Sequence, residues 1–366
     1  MIIFDRDNKF DKKQRANINA LQKKIKALFD DFNAEAIRLG VASKFTSETA
    51  MFSFADYPAL NKKVNALMES LSDAMVDAIT VNEQTAFELS DTKNTYLIDT
   101  YAALSPEIAN KVTDASSIFG HRAITTMKQR NLEAWSSFQD RKVNGLDLSG
   151  RIWSVVKQAK TEVELTLDTG LANGDSAAQM ARDIKQYLVQ PDKLFRRVRD
   201  KHGNLKLSKP AKAYHPGHGI YRSSYRNALR LAGTETNIAY HTADYNSWLN
   251  NMLVIGIKVI TSPTNHVVED ICDELAGIYP KDFEFVGWHP SCRCQALAIT
   301  PGNGSDWKNF INSGCPSDYN FDGTVNNLPS NFTGWIDKNT ERIDGMKKRG
   351  TLPYFIKQNS SLIKGR

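Results

Sequence analysis

The chain has 366 residues, 41% of them hydrophobic and 24% charged, an ordinary balance for a folded globular protein and enough length for two or three domains. No apolar run approaches the ~20 residues needed to cross a bilayer. The opening Met1–Asp7 carries no leader pattern, and four cysteines are too few for a disulfide framework, so assembly in a reducing cytoplasm is expected. Net charge is +6, yet residues 192–230 alone hold eleven Lys or Arg against two Asp. One segment carries the basic character, which points to a local anionic partner.

Residues 12–39 place Leu21, Ile25, Leu28, Phe32, Ala36 and Leu39 on one stripe, the pattern of an amphipathic helix, here with a predicted end at Gly40. Val64, Leu67, Leu71, Met75 and Ile79 form a second stripe, and a further helix is expected across 85–102. Ser105-Pro106-Glu107 is a helix-start signature, with a break near Gly120 before about Gln139. Residues 1–146 thus read as a helical assembly region, its stripes either packed in their own bundle or laid in a partner's groove. The turn-rich stretch Asn144–Gly150 marks a boundary that would give the two sides separate cores. Beyond it, helices are predicted at 150–168 and, from a capping start at Ser176, to about Leu188.

Residues 191–220 change character. Phe195–Asp200 and Leu205–Lys209 flank Lys201-His202-Gly203-Asn204, which predicts a basic β-hairpin with a glycine turn. Arg196, Arg197, Arg199, Lys201, Lys206 and Lys209 are the candidate nucleic-acid contacts, because phosphate binding needs dense cationic side chains. A solvated basic loop, or one docked on an acidic subunit, is the other reading of the same residues. A long helix follows, with Tyr225, Leu229, Ala232, Thr236, Ala239 and Tyr240 on one face. The β-branched run Leu253–Thr261 predicts a strand, a polar loop carries Cys272, and Cys294–Ile299 predicts a return strand. After Thr300 a Gly/Asn/Ser/Pro-rich linker leads to a tail in which Phe332, Trp335, Ile336, Ile343 and Met346 recur at near-helical spacing.

Cys272, His289, Cys292 and Cys294 are the metal-like cluster, since zinc takes thiolate and imidazole in tetrahedral array. Buried free thiols beside a hydrogen-bonded histidine, or a disulfide, remain open readings of the same four residues. Cys-x-Cys on a regular strand would throw its side chains to opposite faces, and His266 is a second imidazole within reach in sequence. Zinc-deaminase spacing is not met: His266 and Glu269 lie three apart and the paired cysteines are separated by one residue.

The order of these parts resembles the Mu F-like minor head (head morphogenesis) proteins of tailed bacteriophages. The resemblance is carried by Arg230, Thr234, Glu235, Asn237 and Trp248 on the helix, by Cys272-Asp273-Glu274-Leu275-Ala276-Gly277, and by His289-Pro290-Ser291-Cys292-Arg293-Cys294. Ala276 stands where the family has Asp. Trp335, Asn339, Arg342, Pro353, Tyr354 and Phe355 extend the likeness into the tail. Together with the stripes and breaks above, it gives the expectation of a mainly α fold: the helical region 1–146, a head-morphogenesis domain at 147–300 containing a small α+β module, and a linker with a short helical tail at 301–366. Arg230, Thr234, Glu235, Asn237 and Trp248 would be a structural polar core with no catalytic residue among them. The implied role is head assembly and genome packaging or delivery, beside portal, capsid or scaffold proteins and double-stranded DNA, with no membrane segment. The implied location is the capsid interior or portal vertex of a virion assembled in a bacterial cytoplasm. A phage-borne nuclease or transferase effector is the alternative.

Overall fold

A computed structural model of the chain describes residues 2–3, 9–43, 52–103, 131–189, 197–199, 201–207, 217–262, 270–302 and 319–364, with isolated residues between them. The first long helix, α1 (Lys9–Val41), carries its apolar stripe as expected and ends one residue past the predicted Gly40. A Cβ at Gly40 would sit 2.2 Å from a Leu167 methyl carbon, so the glycine also serves the close approach of two helices. The next helix, α2 (Pro58–Ala103), is continuous over 46 residues. The second stripe and the separate helix expected at 85–102 are therefore one element, because neither Gly nor Pro interrupts the run after Pro58. Proline at its first position lacks only an N–H that would be unpaired anyway. The helix signature at Ser105-Pro106-Glu107 lies outside the described residues; α3 (Leu132–Gln139) follows.

Local chemistry sets the ends of the next helices. In α4 (Leu148–Asn173) Asp147 caps the start by accepting the Gly150 amide at 2.7 Å, and Gly174 ends it in the left-handed conformation at φ 75°. In α5 (Ala177–Val189) the Ser176 hydroxyl accepts the Gln179 amide at 3.2 Å. Strands β2 (Arg197–Arg199) and β3 (Leu205–Leu207) form the predicted antiparallel hairpin, with Gly203 at φ 81° in its turn. Helix α6 (Ser224–Leu249) starts where the buried Glu162 carboxylate accepts the amide and hydroxyl of Ser224.

The remaining strands are β1 (Ile2–Ile3), β4 (Gly256–Ile260), β5 (Gly277–Tyr279) and β6 (Gln295–Thr300), in the antiparallel order β1-β6-β4-β5. Every residue of β6 is buried. The loop bearing Cys272 contains a short helix, α7 (Ile271–Glu274). The tail forms α8 (Ser330–Lys338), α9 (Thr340–Lys348), α10 (Tyr354–Gln358) and α11 (Ser360–Lys364). The fold is thus mainly α: N-terminal helices, a small sheet, then short C-terminal helices. Among the described residues no helix is long and apolar enough to cross a membrane.

The chain folds as two compact units, one of 1–18, 82–140 and 234–366, the other of 19–81 and 141–233. In the second unit Leu21, Ile25, Phe29 and Phe32 pack with Val64, Leu71 and Ile79, and with Ile152, Val156, Met180 and Leu231. The expectation of separate cores on either side of Asn144–Gly150 therefore fails. The apolar stripe of α1 needs a partner surface, and α4 and α5, from beyond that break, supply part of it. In the first unit Trp248, Ile257, Tyr279, Phe283 and Trp288 share a core with Phe332 and Phe355. Trp288 and Phe355 meet edge to face at 5.3 Å, so the tail is docked into the module that precedes it.

Candidate functional site

The cluster lies in the first unit, between α7, the turn 287–294 and α6. Asp270 caps α7 through a hydrogen bond from the Cys272 amide at 2.7 Å, and the Asp273 carboxylate accepts the Asp270 amide in return. That capping box fixes the backbone from which the Cys272 thiol projects. The facing turn needs two unusual backbone angles: Gly287 at φ 109° and Ser291 at φ 66°. At Gly287 a side chain would also meet the Cys292 Cβ at 3.1 Å and the Asn237 amide at 3.9 Å, so only glycine satisfies both the angle and the space. The Cys292 amide closes the turn on the His289 carbonyl at 3.0 Å.

The sulfur of Cys272 lies 3.1 Å from His289 Nε2 and 3.9 Å from the sulfur of Cys292, and these three ligand atoms fall within 4.8 Å of one another. The Cys294 thiol lies outside that set. Strand β6 begins at Gln295, so Cys292 and Cys294 precede the regular strand, and the alternation that would separate their side chains does not apply. All three are free thiols and buried, and 3.9 Å is nearly twice a disulfide bond of about 2.05 Å.

The histidine tautomer follows from its partners. Its Nδ1 faces the Pro290 carbonyl at 2.8 Å, and a carbonyl only accepts, so Nδ1 carries the proton and Nε2 presents a lone pair to Cys272. Among the thiols, Cys292 is held well below the usual range. Hydrogen bonds from the Cys272 and Cys294 thiols are the main cause, aided by the backbone N–H groups of Trp288 and Cys294. Cys272 and Cys294 are pushed up, Cys272 chiefly through its bond to Cys292. Two soft sulfurs and a bare imidazole nitrogen converging on one point, with a third sulfur beside them, are a donor set that fits zinc.

The polar face of α6 is tied to this turn. Thr234 Oγ1 accepts the Ser291 amide at 2.9 Å, and His241 Nε2 lies 3.2 Å from the Cys294 carbonyl. Glu235, Asn237 and Trp248 are buried in the same unit. Arg230 is not brought to the turn: it belongs to the second unit, donates to Asn227 at 2.9 and 3.0 Å, and lies over the Tyr221 ring at 5.1 Å. His266 and Glu269 lie outside the described residues.

A buried ionic group beside the cluster went unread in the sequence. Lys93 Nζ meets Asp244 Oδ2 at 2.7 Å, Ser90 donates to the other Asp244 oxygen at 2.8 Å, and both charged side chains are at most 2% exposed. The Lys93 ammonium also lies 4.9 Å from the ring centres of Tyr240 and Trp248. Burial, with help from the Lys93 charge, pushes His241 down to about 3. His241 is therefore neutral at pH 7, and its Nδ1, 3.9 Å from Asp244, makes no ion pair. The available signal was a lysine at the buried phase of α2, three residues after the buried Ser90 and four before Leu97.

The basic segment is described in part. Arg197, Arg199 and Lys206 lie on the two hairpin strands, and Lys201 is exposed in the turn. Arg196 and Lys209 lie outside the described residues. No protein-family model, curated protein or solved structure matches the chain.

Proposed function

We propose that the chain is a minor head-morphogenesis protein of a tailed bacteriophage or prophage, acting near the portal in head assembly and genome packaging or delivery. The observation that carries this reading is a convergence. Of the residues that carry the resemblance, all but Arg230, which belongs to the second unit, lie in one compact unit: Thr234, Trp248, Cys272, the 287–294 turn and Phe355 share it, with Ser291 bonding Thr234 and Trp288 meeting Phe355 edge to face. A motif set of which all but one member folds as one body fits a shared structural module better than chance similarity of separate short stretches.

In this reading the module is a rigid docking body that performs no catalysis, with portal, capsid or scaffold proteins as its partners inside a virion assembled in the host cytoplasm. The basic hairpin faces double-stranded DNA through Arg196, Arg197, Arg199, Lys201, Lys206 and Lys209. The α1 stripe is consumed in the chain's own core, so portal contact falls to other surfaces. Mass spectrometry of particles released by a strain encoding the chain tests the proposal, together with co-purification of full-length chain and portal. A few copies per particle are expected. Absence from both mature particles and assembly intermediates would overturn it.

A further inference from the structure

We infer that Cys272, His289, Cys292 and Cys294 hold one structural zinc ion with no open coordination position. The first ground is spacing. Tetrahedral zinc with Zn–S bonds of about 2.3 Å sets its sulfurs about 3.8 Å apart, and with Zn–N near 2.0 Å it sets sulfur and nitrogen about 3.6 Å apart. The Cys272–Cys292 separation is 3.9 Å and the Cys272–His289 Nε2 separation 3.1 Å, so two edges of the tetrahedron already stand within about half an ångström of their values.

The second ground is the support behind each ligand. A zinc-bound histidine characteristically gives its other N–H to a carbonyl or carboxylate, which fixes both tautomer and ring plane. His289 Nδ1 does so to Pro290. The Cys272 amide donates to Asp270 at 2.7 Å and the Cys292 amide to the His289 carbonyl at 3.0 Å. Bonds of this kind hold ligand-bearing backbone in the orientation an ion needs.

The third ground is electrostatic. Three sulfurs, each at most 3% exposed, lie within a core of Tyr279, Phe283, Phe285 and Trp288. A divalent ion among these sulfurs displaces the thiol protons, which leave to solvent, and the thiolates so formed are paired with the cation instead of being buried alone among aromatic rings. The fourth position is assigned to Cys294, two residues beyond Cys292 and buried in the same core but outside the three converging atoms, so its side chain must turn toward the ion. With four protein ligands the ion binds no water, so it joins α7 to the 287–294 turn and performs no hydrolysis. The site stands independently of the particle to which the chain belongs.

The test uses the full chain purified without chelator. Elemental analysis should find close to one zinc per chain, and less than ~0.1 would overturn the site. Replacing zinc by Co(II) should give an intense thiolate-to-metal charge-transfer band of three-thiolate strength with a tetrahedral ligand-field envelope. A two-thiolate intensity would overturn the role of Cys294. Cys294→Ser should weaken metal binding by more than about tenfold, the low end of what removing even a supporting residue does; unchanged affinity would likewise remove Cys294. Should the variant fail to fold, the cobalt spectrum of the parent chain counts the thiolates by itself. Chelation should release hydrogen-exchange protection at 270–279 and 289–300, and unchanged protection would show that no metal joins these segments.

Discussion

Replacing Lys93 by Met tests whether the buried ion pair positions α2 against α6 in the first unit. The two side chains are close in volume, so the variant removes charge with little change in packing. What remains is the Asp244 carboxylate, with Ser90 donating at 2.8 Å but without the ammonium at 2.7 Å. Both partners are nearly inaccessible to water, so no solvent discount applies. Removing one member of a buried pair costs about 3–5 kcal/mol. The two cation–ring interactions at 4.9 Å also go, at roughly 0.5–1 kcal/mol or more each, a cost already contained in that range. Proton uptake by the stranded carboxylate sets the ceiling. The double variant Lys93→Met/Asp244→Leu should recover at least about 2 kcal/mol, since an apolar pair replaces a buried ionic one at little net cost. The assay is hydrogen exchange at amides 236–248, read as opening free energy, with urea unfolding as a check on the m-value. A destabilisation below ~1 kcal/mol for Lys93→Met would match an exposed surface pair and refute the reasoning.

Three further outcomes are expected. Changing Arg197, Arg199, Lys201 and Lys206 to Gln should flatten the salt dependence of duplex DNA binding by about 0.9 for each phosphate no longer neutralised; identical slopes in filter binding would assign the hairpin to an acidic protein partner. Gly256→Ala should destabilise the first unit by about 1–3 kcal/mol, because a Cβ there would stand 2.6 Å from a Val325 methyl and 3.2 Å from the Tyr279 carbonyl; an unshifted thermal midpoint would show that β4 moves freely. Asp168 and Glu164 accept the amides of Phe52 and Phe54 at 3.0 Å each, yet burial raises both carboxyls above 3.8 and 4.5. The folded state then binds more protons than the unfolded one, so their contribution is complete below those ordinary values and is lost as pH rises through the raised ones. Glu164→Gln/Asp168→Asn should flatten the stability profile over that acidic window, and superimposable profiles would remove burial as the cause.

The helices were legible wherever one face carried the information. The α1 stripe, the Ser176 cap and the glycine of the basic hairpin each depend on residues within about four positions, and each recurs in the structure. The same local reading divided α2 and assigned Asn144–Gly150 a separating role. It also missed what the space at Gly40 is for, and there and at the break the deciding atoms belong to another element: Leu167 against Gly40, and Ile152 and Val156 against the stripe of α1.

At the candidate site the residue types were readable and their geometry was not. Four metal-like side chains stand out in the sequence because few residue types bind soft cations. Whether Cys292 and Cys294 face one point depends on Ser291 at φ 66° and on where β6 begins, and Cys272 arrives from twenty residues away through the α7 cap. Lys93 and Asp244 are separated by 151 residues, and nothing near either predicts the other. Periodicity and capping are short-range because they act through adjacent turns of one backbone. Ligand convergence and buried charge pairing depend on the path of the whole chain, which the burial of apolar faces determines.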